Sequence, residues 1–250
     1  MRVIGVLDIA GGCAVHARAG ERAAYRPVTS PLIPAAGDAV ALARAYRDDL
    51  GIEELYVADL DAIQRKPVQW QTLEQLVTLD VVLMVDGGVT SAACARELVD
   101  RGVSRVIVGL ETLASFDALA AIVDEIGPGR VVFSLDLRHG APISTHGAEP
   151  MAFVERALAV RVASVIVLDV ARVGTGHGAD CELLAQLRQR FANIELLAGG
   201  GVRGPADLEE LAGCGCDGAL VATALLERRI GREQVESARA LARSQRGESR

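Results

Sequence analysis

Short apolar runs alternate with amphipathic stretches from one end of the chain to the other. The runs Val3–Asp8, Leu55–Asp59, Val81–Val85, Arg105–Val108, Val131–Asp136, Ser164–Asp169, Ile194–Ala198 and Gly218–Val221 have the length and β-branched content of buried strands. Between them apolar residues recur at helical spacing. Leu119, Ile122, Val123 and Ile126 follow Ser115 and stop at Gly127–Pro128; Leu42, Tyr46 and Leu50 follow Asp38 and stop at Gly51. Pro205 stands where the first turn of the seventh helix begins, and Arg232–Ala242 forms a last amphipathic segment before a polar tail. Trp70 shares a helical pattern with Leu73, Leu76 and Val77 and is read as packing.

Eight strands, each followed by a helix, predict an α/β protein with a single (β/α)8 TIM barrel over residues 1–250; an open doubly wound sheet is the structural alternative. Helix-to-strand joints are short, as at Gly102–Ser104. Strand-to-helix joints are long after the first strand (about Ile9 to Ala36), the fifth (Leu137–Glu149) and the sixth (Val170–Ala179). All of these fall on the face formed by the C-terminal ends of the strands, where barrel sites are built. The strand ends also repeat. Asp8 mirrors Asp136, Asp59 mirrors Asp169, Gly87–Gly88–Val89 mirrors Gly200–Gly201–Val202, and Val108–Gly109 mirrors Val221–Ala222. Two half-barrels, about 1–127 and 128–229, with a C-terminal helix and tail at about 230–250, account for that order and favour the closed barrel.

Half of the 250 residues are hydrophobic but only 3% are aromatic, the composition of parallel strands under Ala/Leu-rich helices. A net charge of −7 argues against a nucleic-acid or anionic-membrane partner and leaves a local anion site open. The five scattered cysteines fit no zinc or thioredoxin spacing and are read as reduced thiols. No signal peptide or membrane span is evident, so a cytoplasmic location is expected. Oligomeric state is left open.

Two sets of residues carry candidate chemistry. Glycine turns follow strands three (DGGV, 86–89) and seven (GGGV, 199–202), and VGLET and VATAL follow strands four and eight. Glycine lets backbone N–H groups approach a phosphate, although a lone glycine needs no reason beyond a tight turn. Four such turns at symmetric positions favour anion binding. Asp8 and Asp136 end opposite strands of the predicted barrel and could flank one substrate as a proton-transfer pair, or merely cap loop amides. Arg22, Tyr25 and Arg26, among prolines in Gly20–Pro34, read equally as a lid over an anion and as a stiff surface loop. His16, His139, His146 and His177 are read as ordinary loop histidines without metal-ligand spacing.

Together VLDIAGG, SLDLR, ARVGTGHG, AGGGVRGPADL and LVATALLE resemble the ProFAR isomerase family of histidine biosynthesis and its cyclase relative, from Val3 to about Glu227. The resemblance implies a half-barrel-duplicated (β/α)8 fold and an Amadori rearrangement of a phosphorylated aminoaldose to an aminoketose. It implies Asp8 as base, Asp136 as acid and an assisting Thr175, with neither cofactor nor metal. Phosphate contacts fall by position on Gly87, Gly88, Gly109, Gly174, Gly200, Gly201, Arg203, Ala222 and Thr223.

The departures are specific. The sixth loop reads Arg172–Val173–Gly174–Thr175 without the family's acid, and the fifth lacks an aromatic between Gly140 and Gly147. Asp86 stands in a turn the family fills with glycine, Thr90 replaces an arginine that Arg203 keeps in the other half, Glu111 follows strand four, and Ala222–Thr223 replaces a glycine–arginine pair. These changes imply one firm phosphate grip, at strands seven and eight, and something cationic or hydroxylated near Asp86, with Glu111, Arg22 and Arg26 as further polar candidates. The segments VDGG and LET look closer to a side branch related to ProFAR isomerase than to the biosynthetic enzyme. Two readings follow: an isomerase of a phosphorylated aminosugar, or a non-catalytic or differently reacting barrel that binds a phosphorylated metabolite in one-carbon cofactor biosynthesis.

Overall fold

The computed structural model describes residues 1–16, 25–144, 147, 149–173 and 178–247. Among them the apolar runs become eight parallel strands: β1 (Arg2–Ala10), β2 (Glu54–Asp59), β3 (Val82–Asp86), β4 (Arg105–Gly109), β5 (Val131–Arg138), β6 (Ser164–Asp169), β7 (Glu195–Gly199) and β8 (Gly218–Val221). β1 pairs with β2 on one side, Ile4 opposite Glu54, and with β8 on the other, Arg2 opposite Gly218. The sheet therefore closes into a barrel. Helices α1 (Ala39–Asp48), α2 (Trp70–Val77), α3 (Ala92–Asp100), α4 (Phe116–Ile126), α5 (Pro150–Ala159), α6 (Cys181–Arg190), α7 (Pro205–Gly213) and α8 (Arg232–Gly247) cover the outside.

Local chemistry sets the helix starts. Asp38, Ser91, Ser115 and Asp180 each accept a backbone N–H of the first turn, contacts worth about 1 kcal/mol apiece. Leu50 lies past the end of α1, buried beside it, because the chain leaves the helix at Asp48. Trp70 packs on the core at the start of α2, with the Arg101 guanidinium 4.1 Å above its ring.

The period of two along each strand creates two cores. Leu55, Val85, Val108, Phe133 and Leu135 face outward beneath the helices, whereas Ile4, Tyr56, Met84, Ile107, Val132, Ile166, Leu197 and Leu220 fill the barrel. The lower end is plugged by ions: Arg2 bonds Glu54 (3.1 Å) and Glu195, and Arg105 reaches Glu195 (2.5 Å) and Ser164. Glu195 is held at about 2, against the opposing pull of burial, by its bonds to Arg105 and Ser164 and the charges of Arg105 and Arg2.

β1 and β5 run beyond the aspartates at which the apolar runs stop. Each turns back in a tight hairpin, Ala10 opposite Cys13 and Arg138 opposite Ala141. The two turn residues have positive φ in both, 56° and 80° at Gly11–Gly12 and 54° and 78° at His139–Gly140. That is the turn geometry which matches strand twist in two-residue loops. Buried aspartates brace them. Asp169 accepts the N–H groups of His139 (3.2 Å) and Gly140 (2.9 Å) directly, while Asp59 holds Gln69, whose Oε1 accepts from Gly12 (2.5 Å). The two hairpins are thus alike in their turns but braced differently, by Asp169 itself at β5 and by Asp61 (2.7 Å to the Gly11 N–H) and Gln69 at β1.

Candidate active site

On β1, β3 and β5, Asp8, Asp86 and Asp136 share the inward parity of the filling residues Ile4, Met84 and Val132, with Ser134 between Val132 and Asp136. Period two therefore turns all three carboxyls into the C-terminal mouth of the barrel, and turns Asp59 and Asp169 outward to brace loops. They line a cavity of about 300 Å³ together with Glu111, Tyr56 and Tyr25. Asp136 and Tyr56 are only 7% and 5% exposed.

Each aspartate has a different environment. Asp8 has no side-chain hydrogen bond among the described residues, and burial pushes its carboxyl up to about 7. Burial raises Asp136 to about 6, held back by bonds from the Ser134 hydroxyl (2.7 Å) and the Glu111 N–H (3.2 Å). Asp86 is raised to about 7 by burial and then by the charge of Asp136, against a bond from the Gly88 N–H (3.1 Å). The Tyr56 phenol is pushed well up by burial and by the charges of Asp86, Asp136 and Asp8. Gly109 makes the arrangement possible: a Cβ there would lie 2.9 Å from Asp136 Oδ2 and 3.7 Å from Asp86 Oδ2.

The opposite wall is built from backbone and one cation. Gly200 and Gly201 adopt φ of 98° and 87° and line the cavity, as do Ala222, Thr223 and Arg229. A Cβ on Gly200 would meet the Asp169 carbonyl oxygen at 2.7 Å, so the close approach requires glycine. His16 lies 3.0 Å from the Thr223 hydroxyl, which ties the first hairpin to this wall.

Of the residues singled out in the sequence, the cavity brings together Asp8, Asp86, Asp136, Glu111, Gly109, Gly200, Gly201, Ala222 and Thr223. It does not bring in Gly87, Gly88, Arg203 or Arg26. Gly88 is packed under the loop after β2, its Cβ position 2.8 Å from the Ala62 carbonyl oxygen. Arg203 turns to Asp207, with Nε 2.9 Å from Oδ2, and that pairing pulls the Asp207 carboxyl down. Arg26 is exposed on a short strand opposite His16 and donates to the Tyr25 carbonyl (2.9 Å). Thr175, Gly174, Arg22, His146 and His177 lie outside the described residues.

Tyr56, Thr112, Arg138 and Arg229 are polar lining residues that were not among the sequence candidates. Tyr56 has the inward parity of its strand, two residues after Glu54 of the lower plug, so alternation alone points it into the barrel. Arg229 stands after the short helix Thr223–Leu226, on the face where sites are expected; its guanidinium donates to Glu227 (2.8 Å) and to the Arg203 carbonyl. Among the described residues no group of three or more His, Cys, Asp or Glu side chains is arranged to hold a metal, and no helix is long and apolar enough to cross a membrane.

The pattern of the family described as histidine biosynthesis protein matches residues 2–231. The chain belongs to this family. It is 37% identical over 185 residues to the 1-(5-phosphoribosyl)-5-((5-phosphoribosylamino)methylideneamino)imidazole-4-carboxamide isomerase of Deinococcus radiodurans, covering 71% of this chain and 77% of that protein. It is 30% identical over 237 residues to the isomerase of the same name from Thermus thermophilus, covering 92% and 96%. A Listeria monocytogenes isomerase of that name matches at 30% over 206 residues, 79% and 84% of the two chains. The family match spans all eight strands, so the two walls of the cavity both lie within it. These relatives all carry the isomerase name.

Proposed function

We propose that this histidine-biosynthesis family member is an aldose–ketose isomerase that carries out an Amadori rearrangement on a phosphorylated aminosugar, with Asp8 and Asp136 moving the protons. The observation that carries the reading is a pair of desolvated carboxyls on opposite strands of one cavity, raised to about 7 and about 6. Groups with such values can both hold and release a proton near neutrality. The relatives are named as isomerases of a phosphoribosylamino compound, which is the substrate chemistry adopted here.

In the rearrangement a proton delivered to the ring oxygen lets the C1–O bond break, and the nitrogen lone pair forms the C1=N iminium. A base then removes the proton on C2. Its electron pair becomes C1=C2 while the C=N pair returns to nitrogen, giving an enolamine. Loss of the C2 hydroxyl proton and protonation of C1 complete the aminoketose. No hydrogen is gained or lost overall, so C1 is reduced as C2 is oxidised and no external oxidant or reductant is needed.

By position Asp8 is the base and Asp136 the acid. The two donors on Asp136 favour its carboxylate and work against an acid role. Burial outweighs them, with the charge of Glu111 acting in the same direction, so the Asp136 carboxyl stays raised at about 6. Asp8, with no hydrogen bond among the described residues, is left to accept the C2 proton. Thr175 is the third group assigned by resemblance. Gly200, Gly201, Thr223 and Arg229 would hold the phosphate by backbone N–H groups, hydroxyl and guanidinium.

Turnover of ProFAR and of glucosylamine 6-phosphate by the wild type, Asp8→Asn and Asp136→Asn tests the reading. Loss of about 10²–10⁴ in kcat is expected for each substitution. Turnover that survives either one, or is absent from the wild type on both compounds, rejects it.

A further inference from the structure

The two glycine turns occupy equivalent places in the two halves, yet present opposite charge to the cavity. At the β7 turn the position equivalent to Asp86 is Gly199, and the backbone of Gly200 and Gly201 faces the cavity beside Thr223 and the Arg229 guanidinium. At the β3 turn the Asp86 side chain folds over its own turn and takes the Gly88 N–H (3.1 Å). Gly87 and Gly88 do not reach the cavity; Asp86 and Glu111 do. An anion arriving at that end meets the carboxyls of Asp86, Glu111 and Asp136 against the single Arg138 guanidinium at the end of β5, where the other end offers amides and Arg229.

A second feature marks this end as a place for a hydrogen-bond donor. Asp86 Oδ2 and Asp136 Oδ2 converge on the gap above Gly109, 3.7 and 2.9 Å from the position of its missing Cβ. Tyr56, a residue only 5% exposed, lines the same cavity and has no side-chain hydrogen bond among the described residues. Two carboxylate acceptors and the Thr112 hydroxyl, 3.7 Å from the same Cβ position, border the gap. Burial raises both carboxyls, as expected when their charge lacks a counter-ion, and a bound cation would supply one.

We infer that the natural ligand is singly phosphorylated, with its phosphate against Gly200, Gly201 and Arg229 and a protonated amine or hydroxyl group between Asp86 and Asp136, and that Asp86 excludes a second phosphate. The inference rests on the isomerase reading for the identity of the site and adds the charge pattern of the substrate. It separates this chain from the relatives, whose names carry two phosphoribosyl groups. Asp86 acts here as a specificity residue; juxtaposed like charges are a common means of rejecting a wrong ligand.

One carbon skeleton with three substituents tests this by calorimetry: 1-amino-1-deoxyfructose 6-phosphate, fructose 6-phosphate and fructose 1,6-bisphosphate. The wild type should bind the amine at least about tenfold more tightly than the bisphosphate, with the hydroxyl compound between them. Asp86→Asn keeps the side-chain size and removes the charge, and should bring the three affinities within about threefold of one another. A wild type that prefers the bisphosphate, or binds none of the three, overturns the inference without recourse to any variant. An unchanged ranking in folded Asp86→Asn overturns the role of Asp86. These are binding measurements, so loss of turnover in the isomerase assay does not decide them, and persistence of turnover in Asp8→Asn leaves their outcome intact.

Discussion

Asp86 and Asp136, on strands β3 and β5, aim their Oδ2 atoms at the same point, the place a Gly109 Cβ would occupy on the strand between them. The two carboxyls are 50 residues apart in the chain and meet only because β4 carries no side chain there. Gly109 has an ordinary backbone conformation, so its role is space and not torsion.

Gly109→Ala should therefore fold and lose function. The added methyl stands 2.9 Å from Asp136 Oδ2, which must rotate away from Ser134 or Glu111. A displacement of that size predicts a fall in kcat/KM of about 10²-fold, while the urea midpoint moves little. Steady-state kinetics beside a denaturation curve checks it; full activity in the alanine variant would refute the convergence.

Equivalent turns should tolerate the same substitution differently. Gly200→Ala combines a φ of 98° with a Cβ 2.7 Å from the Asp169 carbonyl oxygen, and should cost about 2–4 kcal/mol. Gly87→Ala has negative φ and its nearest neighbour is Leu98 Cδ1 at 3.6 Å, so a change below about 1 kcal/mol is expected. Chemical denaturation of both variants compares the two halves directly.

Stability should fall as pH rises. Asp8 is raised in the folded protein to about 7, above the usual carboxylate value near 4, so the folded state holds its proton where the unfolded chain has released it. That stability is fully present below about pH 4 and is lost as pH rises through about 7. Asp8→Asn removes the dependence and should be more stable than the wild type at pH 8 by on the order of 4 kcal/mol, with a smaller gain at pH 5. Urea titrations at the two pH values read the difference, and equal gains at both would contradict a buried, raised Asp8.

Activity should follow a bell. With carboxyls at about 6 and about 7, kcat/KM is highest between those values and declines on either side. Which residue gives and which takes the proton does not alter that shape, and the limbs belong to the coupled set. In Asp8→Asn one limb should vanish from the residual rate.

Arg229→Gln should raise KM by about tenfold or more with kcat little changed, because the guanidinium belongs to the wall that holds phosphate in substrate and transition state alike. A fall in kcat at constant KM would place Arg229 in the chemistry instead.

Much of this molecule was legible along the chain. Eight apolar runs, their intervening helices and the caps Asp38 and Ser115 are encoded by short-range periodicity and by side chains that bond amides three residues away. The strand-end repeat likewise announced the closed barrel and marked Asp8 and Asp136 as strand-end carboxyls, whereas Asp86, read as part of a turn, is the last residue of β3. The continuation of β1 and β5 into hairpins was not visible, since it depends on His139 accepting a positive φ and on Asp169 lying 30 residues away to hold the turn.

What the sequence by itself determined is the succession of strands and helices and the carboxyls Asp8 and Asp136 at the strand ends; what only the tertiary structure decided is which other residues join them in the cavity and whom each one meets. Arg203 looked like a phosphate ligand until Asp207, one helical turn on, took its guanidinium, and Arg229 occupies the wall instead. Asp86 could have faced any of several partners, and the fold gives it the Gly88 N–H and a shared space with Asp136. Periodicity is a property of neighbours in the chain and survives in one dimension. The pairing of charges and the desolvation that shifts their protons depend on distances between residues far apart in the chain, and closure of the barrel sets those distances.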